Sequence, residues 1–166
     1  MKIERSMHHD LPVPELYEMA CSKRFQEQKC IDAGALSYDV HVTRTDDGAI
    51  VKTRRKLPTV GFPSLLRRFL PSGMSSTETM VWGPAAPDGS RSADLHVDFH
   101  GAPASLTGTI RIQPDGPDAA AVLVDATFTA HVPFVARRVE GFAAPIILAV
   151  IDAEEATSRA WAAHSR

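Results

Sequence analysis

Alternating and helical spacings of apolar residues divide the chain into strands and helices. Residues 2–9 (KIERSMHH) set Ile3, Arg5 and Met7 against Lys2, Glu4 and Ser6, the period of a strand. Residues 10–34 read as helix in one or two pieces, opened by Asp10 with prolines behind it and stopped by Gly34. In 35–44 (ALSYDVHVTR), Leu36, Tyr38, Val40 and Val42 share a face, and the turn TDDG joins this stretch to AIVKTRRKL as a hairpin. Residues 58–73 break the pattern with prolines and glycines around a short apolar and basic helical turn. Four further alternating stretches follow: MSSTETMVW, SADLHVDFH, ASLTGTIRIQ and AAVLVDATFTAHV. Short turns without crossover helices imply an antiparallel meander with one buried face. The chain then ends on a long helix whose stripe runs through Val135, Val139, Phe142, Ile146, Val150, Thr157 and Trp161. Ile147 and Ile151 widen that stripe where FAAPIILAVI has no polar residue, so the helix is expected to lie deepest against the sheet there. Pro145 removes a backbone donor opposite the carbonyl of Gly141, and a bend is expected at that point. The fold class is α+β: a curved antiparallel sheet with a long helix packed across it.

Alternation also nominates an inner lining. Tyr38, Arg55, Glu78, Met80, Trp82, Val97, Phe99 and Phe128 fall on the inward phase of their strands, and Phe142, Ile146 and Val150 on the facing helical stripe. Most are apolar, as a core or a pocket for a greasy ligand requires. Arg55 and Glu78 are the exceptions, and burial obliges such charges to pair. They form a structural ion pair, or one of them faces water, or they anchor a ligand headgroup, for which Arg55 offers the bidentate geometry a carboxylate or phosphate takes.

Composition narrows the function classes. The 166 residues suit one domain, 1–166, and 18 basic against 20 acidic residues give no strong overall field. The first residues lack an apolar signal region and the run 142–151 falls short of the roughly 20 residues a membrane helix needs, so a soluble cytoplasmic protein is expected. If Cys21 and Cys30 lie on one continuous helix, their nine-residue separation puts them roughly 13 Å apart, beyond disulfide reach, and both are read as ordinary buried thiols. Asp94, His96, Asp98 and His100 alternate with Leu95, Val97 and Phe99 as a solvated strand face does, and His8 and His9 are read as solvated too; no metal site is assigned. No nucleophile elbow, phosphate loop or paired cysteine–histidine spacing is present, so no catalytic residue and no cofactor is assigned. The sequence has no acid between Asp47 and Glu78, while Lys52, Arg54, Arg55, Lys56, Arg67 and Arg68 lie there with apolar residues interleaved. Phe62, Leu65, Leu66 and Phe69 would form a lid, and 52–70 could touch an anionic membrane transiently; the alternative is a loop tucked into the core with its arginines solvated. Nucleic acid is not an expected partner, since aromatics for stacking are few. The oligomeric state is not legible.

The strand, helical pair, six-strand meander and closing helix resemble the START-like, or Bet v 1-like (SRPBCC), helix-grip superfamily. Within it TRRKLP, SSTETMVWG, GAPASLTGTIRI and HVPFVARRVEGFAAPI with EEATSRAW resemble an uncharacterised actinobacterial family of unknown function. The resemblance covers essentially the whole chain as a single START-like domain. It implies seven antiparallel strands wrapped on the long helix, one or two short helices between the first two strands, and a deep apolar cavity between sheet and helix. Members include lipid-transfer proteins, hormone and metabolite binders and polyketide aromatase/cyclases, which share no catalytic motif. The expected function is binding or transport of a lipid-like or polycyclic molecule. A cyclase, dehydratase or hydrolase-like enzyme using Arg55, Glu78 or Tyr38 to polarise a carbonyl, and an interaction module with a filled cavity, are the alternatives.

Overall fold

The computed structural model describes residues 1–64, 67 and 72–164. Strand β1 (Lys2–His9) precedes helices α1 (Val13–Ala20) and α2 (Lys23–Asp32). Then come β2 (Ser37–Arg44), β3 (Ala49–Leu57), β4 (Met74–Trp82), β5 (Arg91–His100), β6 (Ala104–Pro114), β7 (Ala120–Ala130) and the closing helix α3 (Ala136–His164). The seven strands form one curved antiparallel sheet in the order β1-β7-β6-β5-β4-β3-β2, the helix-grip arrangement. The meander β2 to β7 builds from one edge, and β1 adds to its far side by pairing Ile3 with Ala126 and Met7 with Val122. Gly108 lets β6 and β7 come together: a Cβ there would lie 2.2 Å from the Asp125 carbonyl oxygen.

Local signals place the short helices. Pro12 and Pro14 pre-set the start of α1. The Ser22 hydroxyl caps α2 by accepting from the Phe25 amide at 3.4 Å, and Gly34, at φ 70°, turns the chain after it.

The inward phase of the sheet is as expected at most positions. Val40, Val51, Thr53, Arg55, Met80, Trp82, Leu95, Val97, Leu106 and Phe128 are all buried. Leu36 and Tyr38 depart from it, at 62% and 41% exposed. They sit just before and at the start of the edge strand β2, ahead of the buried Val40.

Helix α3 also departs from expectation. Of its residues only Thr157 and Ala162 are buried, so it is deepest near its C-terminal end and not along FAAPIILAVI. There the Thr157 hydroxyl donates to Asp32 Oδ2 at 2.8 Å, and Trp161 meets Phe25 edge to face at 5.7 Å. The middle of the helix faces open space. Helical structure runs on through Pro145, with Gly141 and Pro145 both on the exposed side. The carbonyl that loses its donor is therefore turned to water, which removes most of the cost of a proline at that place.

Candidate ligand cavity

Between the concave face of the sheet and the lifted middle of α3 lies a cavity of about 260 Å³. Its floor is the inward phase of the strands: Ile3 and Met7 from β1, Met80 and Trp82 from β4, Val97 and Phe99 from β5, Val124 and Phe128 from β7. Its roof is Val139, Ala143, Ile146, Ile147, Val150 and Ile151, one face of α3 at helical spacing. Phe99 and Phe128 meet edge to face at 5.7 Å within the floor. Phe62, from the segment after β3, also reaches the wall, while Leu65, Leu66 and Phe69 lie outside the described residues.

One part of the wall is charged. Four side chains from four elements meet there: Lys29 of α2, Arg55 of β3, Glu78 of β4 and Glu154 of α3. Glu154 is the hub, with Oε2 3.0 Å from Lys29 Nζ and Oε1 2.9 Å from an Arg55 terminal nitrogen. Glu78 stands 3.9 Å from each cation, close enough for attraction but beyond hydrogen-bonding distance. The two positive and two negative charges balance, which is how such a cluster tolerates burial. Burial works against the Glu154 carboxylate, yet Lys29 and Arg55 outweigh it and hold its pKa down to about 2. Burial likewise opposes charge on Lys29 and Arg55, and Glu154 followed by Glu78 raises both pKa values nonetheless. Lys29, Arg55 and Glu154 are therefore charged at neutral pH. Arg55 Nε, Trp82 Nε1 and Gln26 Oε1, all in wall residues, are buried without a hydrogen-bond partner among the described residues. These are two donors and one acceptor that an occupant could complete.

His9 completes the polar wall. It is 4% exposed and faces the cavity, and burial lowers its pKa, so the imidazole is neutral at pH 7. The solvated reading holds for His8, which is exposed and 2.6 Å from Asp115, and fails for His9 because the alternation of β1 turns it inward.

Of the residues nominated from sequence, the structure brings Arg55, Glu78, Met80, Trp82, Val97, Phe99, Phe128, Ile146 and Val150 into one wall. Tyr38 stays outside on the edge strand, and Phe142 turns away under Arg138, whose guanidinium is 5.8 Å from the ring centre. Sequence reasoning missed Lys29, Glu154 and His9. Glu154 carried a readable signal, since it lies one turn beyond Val150 on the stripe. Asp94, His96, Asp98 and His100 are all on the exposed face of β5. Among the described residues no group of three or more His, Cys, Asp or Glu side chains is placed to hold a metal ion. Cys21 and Cys30 are buried free thiols. No described helix is long and apolar enough to cross a membrane.

This geometry can be set beside known proteins. A family model described as protein of unknown function (DUF2505) matches residues 4–162. The chain belongs to that family. No curated protein matches it in sequence. Among solved structures, a Thermus thermophilus protein is 12% identical with a TM-score of 0.60, over 96% of this chain and 98% of that one. The Zhui aromatase/cyclase of Streptomyces sp. R1128 is 9% identical with a TM-score of 0.58, over 95% and 93%. Human STARD10 is 12% identical with a TM-score of 0.61, over 95% of this chain and 62% of that one. At these identities the likeness is one of fold: this DUF2505 chain has a START-like, Bet v 1-like architecture.

Proposed function

We propose that this DUF2505 chain binds or carries a hydrophobic small molecule, lipid-like or polycyclic, in the cavity under α3. The apolar cavity of about 260 Å³ carries the reading. An engineered cavity of about 150 Å³ holds a benzene molecule, and drug-sized ligands occupy roughly 300 Å³ or more. A compact occupant fits best, a fused ring system or one short acyl chain. The charged cluster sets its polar end. Arg55 is already engaged by Glu154, and a bound carboxylate or phosphate would give a balanced site an excess negative charge. A neutral carbonyl or hydroxyl adds no charge, and it can accept from Arg55 Nε or Trp82 Nε1 and donate to Gln26 Oε1. Transient contact of 52–70 with an anionic membrane belongs to the same reading, as the place where such a ligand would be exchanged.

Native mass spectrometry of protein purified from its own host, followed by organic extraction, tests this. A stoichiometric neutral apolar compound is the expected result. A ligand-free protein that also fails to take up an apolar fluorescent probe would exclude the carrier reading. The probe assay also separates the carrier from an interaction module with a filled interior, against which the open volume argues.

His9 favours a second reading, a cyclase-like or aromatase-like enzyme. A neutral imidazole facing an apolar cavity is a competent general base, a better one than Tyr38, which is outside the wall. Conversion of the extracted compound on incubation, lost in His9→Leu with probe binding retained, would favour the enzyme over the carrier.

A further inference from the structure

We propose that one end of the molecule docks on an anionic lipid membrane, with Phe134 as the inserting side chain and Arg67, Arg137 and Arg138 as the electrostatic contact. The inference rests on the carrier reading for its purpose, although the surface itself stands on separate observations. Antiparallel pairing brings the exit of β3, the entry of β4, the β5–β6 turn and the exit of β7 to the same end of the sheet. The cavity wall reaches that end through Leu57, Phe62, Met74, Ala102 and Ala104.

Apolar side chains project from the connections there. Phe134 is 107% exposed and held at φ 65°, a left-handed conformation that an aromatic residue rarely adopts. Val60 is 88% exposed and Val135 48%. Val60 stands out from the connection after β3 and Phe134 with Val135 from the one after β7, projecting apolar tips of the kind that suit the soft boundary of a bilayer.

Charge on the three connections of this end has one sign, with Asp39 of β2 and Asp98 of β5 the exposed acids on the neighbouring strand ends. The sequence has no Asp or Glu from Lys56 to Met74, from Phe99 to Ala104, or from Ala126 to Val139. Arg67, Arg137 and Arg138 are exposed there. Glu140, the next acid along the chain, is turned to the Ala130 amide at 3.3 Å and the Met1 amino group at 3.4 Å. The loops and strand ends of the opposite end hold six acids, Asp10, Asp46, Asp47, Asp88, Asp115 and Asp118, against three arginines, Arg44, Arg91 and Arg111. The formal net charge of −2 therefore hides a molecule polarised along its strands, which would orient its basic end, and with it the cavity wall, toward an anionic surface.

Vesicle flotation tests the assignment, with phosphatidylcholine vesicles containing phosphatidylglycerol compared with phosphatidylcholine alone. Binding to the anionic vesicles only, weakening with added salt, is expected. Each arginine contact is worth about five-fold in partitioning, so Arg137→Glu with Arg138→Glu should lower binding by about 25-fold or more. Phe134→Ser should lower it by about ten-fold. None of these residues lines the cavity, so uptake of an apolar fluorescent probe in solution should be unchanged in every variant, which also reports that the variants are folded. Equal binding to both vesicle types, no binding to either, or variants that float as wild type would overturn the proposal. So would a concentration-dependent dimer abolished by Phe134→Ser, which would assign the face to a second copy of the chain. Vesicle binding without probe uptake would sink the carrier reading and leave the docking surface standing.

Discussion

Glu154 shows how much one side chain of the cavity wall has to do. It is the short contact of both Lys29 and Arg55, and Glu78 at 3.9 Å cannot replace it. Glu154→Gln leaves a buried site with excess positive charge, at a cost of about 3–5 kcal/mol. For a chain of this size the melting temperature should fall by roughly 10 °C, read by calorimetry at pH 7. The pH dependence follows from the depressed pKa. The stabilisation is complete above about pH 4.5 and is lost as pH falls toward about 2, where Glu154 protonates in the folded state. Melting curves across that range should show a steep acid limb in the wild type and a shallower one in Glu154→Gln. His9 acts at milder pH. Its lowered pKa means that protonation favours the unfolded chain, so stability is full above about pH 6.5 and declines below it. His9→Leu should flatten the decline between pH 7 and 5.

These residues were unequally legible, for physical reasons. Arg55 and Glu78 stood out because strict alternation makes a charge on the inward phase of a strand an anomaly. Lys29 gave no such signal: the buried face of α2 is Phe25, Gln26, Lys29 and Cys30, in which helical spacing is kept but polarity is mixed. Tyr38 failed in the opposite sense, because alternation reports which side of a sheet a residue faces and not how far the helical cover extends.

At the scale of elements, α3 combines two jobs along one stripe. Its C-terminal part is held by Glu154, Thr157 and Trp161, while residues 139–151 span the cavity. The stripe was readable and the lift was not, because an apolar face looks the same over a cavity as over a packed core. Gly141 is exposed, and a methyl group added at its Cα would meet nothing within 4 Å, so Gly141→Ala gains helix propensity without a clash. It should stabilise the protein by about 1 kcal/mol, seen as a rise of a few degrees in thermal melts. The first turn of α3 breaks a local rule, with Arg137 and Arg138 at the positive end of the helix dipole and no acid beside them. Arg137→Glu should therefore raise stability by about 0.3–1 kcal/mol while reducing vesicle binding, two outcomes that a purely structural arginine would not combine.

For the whole molecule, the antiparallel meander with a closing helix was legible from turn spacing alone, since consecutive strands joined by short turns have few other ways to pair. The cavity was expected only through the resemblance to a superfamily. An empty interior of this size forfeits packing contacts, so occupancy and stability are linked. Removing a bound ligand by extraction should lower the melting temperature, and at a concentration of about 100 times Kd its return should restore about 2.7 kcal/mol. Ala143→Phe, which places a ring in the roof, should stabilise the ligand-free protein and abolish probe uptake.

The charged cluster also bears on inheritance. Its members stand at positions 29, 55, 78 and 154, far apart in the chain, yet each is tolerated in the interior only because the others are present. Relatives are therefore expected to keep all four or to exchange them together for apolar residues, whereas the greasy wall around them is free to vary one methyl group at a time. Selection on what the cavity holds could then proceed through the wall, with the fold secured by a quartet that drifts as a single unit.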